Sequence, residues 1–130
     1  MSKTKGISDG RLMSLWRKAV LAHNGHRCLL CGMTGDDNLQ CHHIVKRRRK
    51  FLRYDYRNGV PLCVGCHQFA HTKAGDMELM RRFRHYQYCA DNEQIVIKDW
   101  LLRQGKTEAE WLLEIKQELL DIIAIDDRMF

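Results

Sequence analysis

A chain of 130 residues that is 45% hydrophobic and 29% charged has the profile of one modest globular core, which excludes a disordered or fibrous protein and leaves no room for two ordinary domains. No apolar run approaches the ~18 residues of a membrane span, and the opening MSKTKGISDG lacks the apolar centre of a secretory leader. A single cytoplasmic domain over 1–130, with no membrane partner, is the expectation. The formal net charge of +6 is unevenly spread: six Lys/Arg against three Asp/Glu in 1–45, eleven against three in 46–90, and five against ten in 91–130. A strongly basic middle and an acidic tail point to a local phosphate-binding surface.

In chain order, Ser8 is placed to cap a helix running to about His23, with Leu12, Leu15, Trp16, Ala19 and Val20 recurring at helical spacing and HNG ending it. HRCLLCGMTGDDN reads as a Cys-rich turn punctuated by Gly32 and Gly35, and LQCHHIV as a strand. The basic segment KRRRKFLRYDYR at 46–57 is expected as a loop. GVPLC at 59–63 reads as a short edge strand and VGCHQFAHTKA at 64–74 as a helix, so the middle is a β-hairpin followed by a helix. Beyond Gly75, DMELMRRFRHYQYCA is expected to be helical. TEAEWLLEIKQELLDIIAI opens with the capping-box pair Thr107 and Glu110. Its apolar stripe, Trp111, Leu112, Ile115, Leu119 and Ile122, is a packing face or, alternatively, a homodimer contact through the C-terminal helices.

Six cysteines in a chain without an export signal are expected to be reduced, so closely spaced pairs read as metal ligands before disulfides. Cys28 with Cys31 and Cys63 with Cys66 form two CxxC pairs separated by 31 residues. Four thiolates suit tetrahedral Zn²⁺, and a closed site of this kind staples a fold without doing chemistry. The intervening hairpin returns the second pair to the first. Cys41 and Cys89 are expected as small buried side chains. His67 and His71 stand four apart, on one face of the expected helix, and can share a metal. His42 and His43 lie on the neighbouring strand, whose register the cysteine staple fixes, so histidines of strand and helix can converge. Adjacent strand residues point to opposite faces, however, so the strand must twist or end there for both rings to reach one site.

His42 and His43, Asn58, LCVGCH and the later His71 resemble the HNH nuclease motif in a ββα-metal, treble-clef-like fold with a double-CxxC zinc. The resemblance covers roughly residues 12–75. The tryptophan-bearing lead-in helix is similar to that of small phage and bacterial HNH proteins, and the HxxxH ending to colicin-type DNases. It implies an α+β architecture with an HNH nuclease core over 8–75 and a helical extension over 76–130. It further implies that His42, His67 and His71 hold one divalent cation, that His43 is the general base and that Asn58 braces the loop that aims it. The implied reaction is hydrolysis of DNA phosphodiester bonds, leaving 5′-phosphate and 3′-hydroxyl ends. An imidazole with an ordinary pKa near ~6.5 can accept a proton from water at cellular pH.

Lys46, Arg47, Arg48, Arg49, Lys50, Arg53 and Arg57 are expected to neutralise DNA phosphates without reading sequence. Phe51, Tyr54 and Tyr56 can stack on bases or anchor that segment to the core, and anchoring is the expectation. Three imidazoles favour Zn²⁺, Ni²⁺ or Mn²⁺ over Mg²⁺, and Cys41 brings a thiol that could compete for the ion. The alternative function is a non-catalytic zinc-containing module that binds nucleic acid or protein on the same fold. A RING-type adaptor would need a second interleaved Cys/His quartet, and a secreted bactericidal DNase would need receptor and translocation domains; neither is found in this sequence.

Overall fold

The computed structural model describes residues 7–129, with side chains through 127; the first six residues of the segment searched for a leader lie outside this range. Helix α1 spans Asp9–His23, and the Ser8 hydroxyl accepts the Arg11 N–H at its start. Its apolar face is fully used: Leu12, Leu15, Trp16, Ala19 and Val20 are all buried. A tight knuckle follows, closed by Cys28 N–H donating to Met33 O (2.8 Å) and by a bridge between Arg27 and Thr34.

Strand β1, Leu39–His43, pairs antiparallel with β2, Gly59–Cys63, in a register that sets His43 opposite Gly59 and His42 opposite Val60. Pro61 costs the sheet nothing. It pairs opposite Cys41, and its carbonyl accepts the Leu29 N–H at 3.0 Å, tying the knuckle to β2. Gly59 permits a close approach of β2 to α1. A Cβ there would lie 2.5 Å from Val20 and 2.6 Å from the Trp16 ring.

The segment between the strands is not the open loop expected from sequence. Lys50–Arg53 form a short helix, α2, and Tyr56–Asn58 a 3₁₀ turn. Leu52 and Tyr54 drive this, since both are buried. The aromatic residues anchor as expected. The Tyr54 hydroxyl donates to Asp9, Tyr56 packs edge-on to His23, and Phe51 meets Trp100 at 5.2 Å between centroids.

The expected helix over 64–74 ends early. Helix α3 covers Val64–Ala70, His71 is its C-cap, and Thr72 caps a separate α4, Lys73–Arg82, by accepting the Gly75 N–H. Gly75 is therefore inside a helix and not a boundary. Its missing Cβ would stand 1.9 Å from the Phe69 carbonyl, so only glycine lets α4 fold back against the end of α3. A second break at Phe83 separates α4 from α5, Arg84–Asn92, where the expectation was one helix. Phe83 packs against the core that holds Tyr86.

Helix α6, Ile97–Gln104, ends on Gly105 in the left-handed region (φ +67°). Helix α7, Glu108–Met129, opens with the capping box: Thr107 Oγ1 accepts the Glu110 N–H, and Glu110 accepts the Thr107 N–H. Its apolar stripe packs within the chain against α1, with Leu119 buried there and Leu112, Ile115 and Ile122 beside it; Trp111 is buried as well. Near its end, Asp126 pairs with His26 (2.8 Å), whose other nitrogen meets Asp36, so the long helix is latched to the knuckle. Among the described residues, no helix is long and apolar enough to cross a membrane. The architecture is α+β, a small hairpin in a mostly helical shell.

Candidate active site

The four CxxC sulfurs converge. Cys28, Cys31, Cys63 and Cys66 place their Sγ atoms within 4.8 Å of one another, with Cys31 and Cys63 3.6 Å apart. Tetrahedral zinc with ~2.3 Å bonds to sulfur sets neighbouring sulfurs about 3.8 Å apart, so the donor set and its spacing fit that ion. The backbone of the knuckle favours thiolate at Cys28. Burial would raise the Cys28 thiol, but backbone N–H groups of Cys63, Cys31 and Leu30 overcome it and bring the value down to about 6.

A second donor set lies across β1. His42 on the strand, His67 on α3 and His71 at its C-cap bring one ring nitrogen each within 4.8 Å of the others. The Nε2 atoms of His67 and His71 are 3.2 Å apart. Two imidazoles on one ion with ~2.1 Å bonds have nitrogens about 3.0–3.4 Å apart, so this pair is spaced as a chelate. Burial, then the neighbouring His67 and His71, push His42 down to about 4. Burial and His71 lower His67 as well. Burial thus favours the neutral form at both rings, the form that binds metal.

Strand alternation separates the two neighbours of the HH pair. Gln40 and His42 face α3, whereas Cys41 and His43 face α1. Cys41 accordingly donates to the Arg17 carbonyl (3.7 Å) and lies outside the histidine cluster; burial pushes its thiol up to about 11. Cys89 is fully buried and donates to the Arg57 carbonyl (3.2 Å). His43 stacks on Trp16 with centroids 3.9 Å apart and planes within 5°. β1 ends at His43, and there both rings line one cleft with Ile44, Lys46, His71, Lys73 and Asp76. The strand's end thus satisfies the geometric demand that the sequence posed.

His43 Nε2 lies 3.0 Å from the Arg53 carbonyl. A carbonyl only accepts, so Nε2 carries the proton and Nδ1 keeps the lone pair. Burial holds the ring below its ordinary pKa, partly opposed by that carbonyl, and the nearby charges of Arg47 and Arg53 add to the lowering. Burial thus favours the neutral His43 ring, and the Arg53 carbonyl fixes its tautomer.

Asn58 is fully buried and spends its amide on the segment between the strands. Its Oδ1 accepts Val45 N–H at 2.7 Å, and its Nδ2 donates to Val45 O and Leu52 O, both at 3.0 Å. One side chain thereby closes the turn that carries Arg53 to His43.

The basic residues divide into two groups. Arg47 pairs with Asp9 at 2.6 Å, Lys50 with Glu108 at 2.7 Å, and Arg53 approaches Asp9 at 3.8 Å while donating to the Arg47 carbonyl. Arg57 differs most from its expected surface role. Its guanidinium forks onto buried Asp55 (3.0 and 3.2 Å) and lies 4.2 Å over the Tyr88 ring. Lys46, Arg48 and Arg49 are exposed and make no ion pair among the described residues.

Sequence reasoning missed several contributors. Trp16 was read as core only, yet its ring supports His43 and its indole N–H donates to the Asp55 carbonyl at 2.8 Å. Asp55 also accepts the Tyr88 hydroxyl at 2.8 Å, a partner 33 residues away that no local pattern announces. Lys73 in the cleft had no signal beyond its place two residues after His71.

Residues 28–73, which contain the hairpin, both donor sets and α3, match the family described as HNH endonuclease. The matched segment is flanked by α1 and by the helices from α4 onward. Neither a curated protein nor a solved structure matches the chain.

Proposed function

We propose that the protein is a metal-dependent endonuclease that hydrolyses DNA phosphodiester bonds, with His43 as general base. The observation that carries this reading is the His43 ring, clamped between Trp16 and the Arg53 carbonyl so that Nε2 holds the proton and Nδ1 the lone pair, in a cleft it shares with His42 and His71 of the imidazole cluster. His42, His67 and His71 would hold one divalent cation, which when bound supplies positive charge to a phosphate oxygen and to the departing 3′ oxygen.

His43 Nδ1 takes a proton from water as the water oxygen attacks phosphorus in line. The bond from phosphorus to the 3′ oxygen breaks, and protonation of that oxygen leaves 5′-phosphate and 3′-hydroxyl ends. Asn58 and Trp16 act through His43 by holding its ring and its turn. Lys46 and Lys73 flank the cleft and suit the phosphates on either side of the scissile one, while Arg48 and Arg49 extend the basic surface outward. One centre per chain nicks one strand. Cutting both strands takes two chains or two successive events.

The test is incubation of supercoiled plasmid with zinc-loaded protein and added Mg²⁺, Mn²⁺, Ni²⁺ or Zn²⁺, followed by end analysis of the products. Metal-dependent nicks with 5′-phosphate ends are expected. A protein that binds DNA but stays inert with every ion on linear, nicked and branched substrates is a zinc-containing binding module instead.

A further inference from the structure

We infer that Gln40 is a positioning residue for the imidazole cluster: its amide oxygen selects the tautomer of His67 that leaves Nε2 available to a cation. This inference rests on the reading that His42, His67 and His71 hold a divalent ion. Gln40 sits on β1 two residues before His42, so strand alternation puts both side chains on the face that meets α3. Its Oε1 contacts His67 Nδ1 in a short hydrogen bond. An amide oxygen can only accept, so Nδ1 must carry the hydrogen and Nε2 the lone pair.

The alternative tautomer has a specific cost here. His67 Nε2 stands 3.2 Å from His71 Nε2. Without Gln40, an Nε2–H on His67 could donate to His71, tying up the lone pairs of two ligands in one internal hydrogen bond. Gln40 removes that donor by taking the hydrogen to the far side of the His67 ring, so that His67 Nε2 can only accept. Metal-binding histidines are generally oriented in this way by an acceptor on their other nitrogen, and loss of that acceptor weakens metal affinity by about 10–100-fold. Gln40 does this without charge, so the cluster keeps an all-neutral donor set. It is also exposed, so its replacement does not disturb the buried core.

The test uses the full chain with zinc already bound at the cysteines, in wild type, Gln40→Leu and Gln40→Glu. Long-range ¹⁵N–¹H spectra read the His67 tautomer without added metal, and calorimetric titration with Ni²⁺ reads affinity at the histidines. Wild type is expected to show His67 protonated on Nδ1. Gln40→Leu is expected to lose that preference and bind Ni²⁺ about 10–100-fold more weakly, with cysteine-bound zinc and unfolding temperature unchanged. Gln40→Glu, which keeps an acceptor, is expected to restore both. An Nε2–H tautomer in wild type, or Ni²⁺ affinity in Gln40→Leu within twofold of wild type, overturns the assignment. Wild type that takes up no Ni²⁺ overturns the metal reading and this inference with it, whereas Ni²⁺ binding indifferent to Gln40 overturns this inference alone.

Discussion

At the scale of single residues, the HH pair works because a strand presents its neighbours to different partners. His42 turns to α3 and the other two imidazoles, while His43 turns to Trp16 and a carbonyl. Asn58 is the residue on which this division depends most. Asn58→Ala strands the Val45 N–H, the buried Leu52 carbonyl and the partly buried Val45 carbonyl, at a cost of about 2–3 kcal/mol. Thermal unfolding of the zinc-loaded variant should show a midpoint lower by roughly 10 °C; an unchanged midpoint would mean that the turn holds without it. The convergence of His42, His67 and His71 and the bracing of the turn by Asn58 could be anticipated from the motif. Gln40 and Trp16 could not, because one resembles any exposed strand residue and the other any buried helix residue until the rings they touch are placed.

At the scale of elements, the cysteine staple and the β-hairpin set where α3 begins, and so where His67 and His71 fall. Cys63→Ser should release zinc and unfold the hairpin, read by a colorimetric zinc assay alongside circular dichroism; a variant that keeps both would remove the staple from the account. Gly59→Ala drives a methyl into Trp16 and Val20, and overpacking of this kind costs about 1–3 kcal/mol. Denaturant titration should register that loss, and a neutral result would show that α1 yields freely. Local signals made α1 and the start of α7 legible, since Ser8 and the Thr107–Glu110 pair cap their own helices. The break after α3 was not legible. It depends on Gly75 meeting the Phe69 carbonyl, a contact between two helices that periodicity treats as one.

At the scale of the whole molecule, charge and packing divide the labour. The acidic α7 spends its apolar stripe on α1, which in turn backs the hairpin and carries Trp16 to His43. Leu119→Ala should therefore destabilise the fold by about 2–5 kcal/mol, measured by denaturant unfolding; a cost below 1 kcal/mol would mean that α7 is a loose appendage. The basic segment was legible as a cluster but not in its pairing, since Asp9 and Glu108 reach it from distant parts of the chain. Replacing Arg48 and Arg49 with Ala should weaken DNA binding and reduce the slope of log K against log salt by about 1–2. Arg57→Ala should lower stability instead and leave the slope unchanged. If all three arginines move the slope alike, the division between pairing and DNA contact fails.

The most direct measurement of the central claim is nicking of supercoiled plasmid by wild type and by His43→Ala, each verified as folded and zinc-loaded, with the activating ion in excess. Wild type should nick, and His43→Ala should be slower by about 10²–10⁴-fold while binding the plasmid as before. Equal rates for the two proteins would contradict the assignment of His43 as the base.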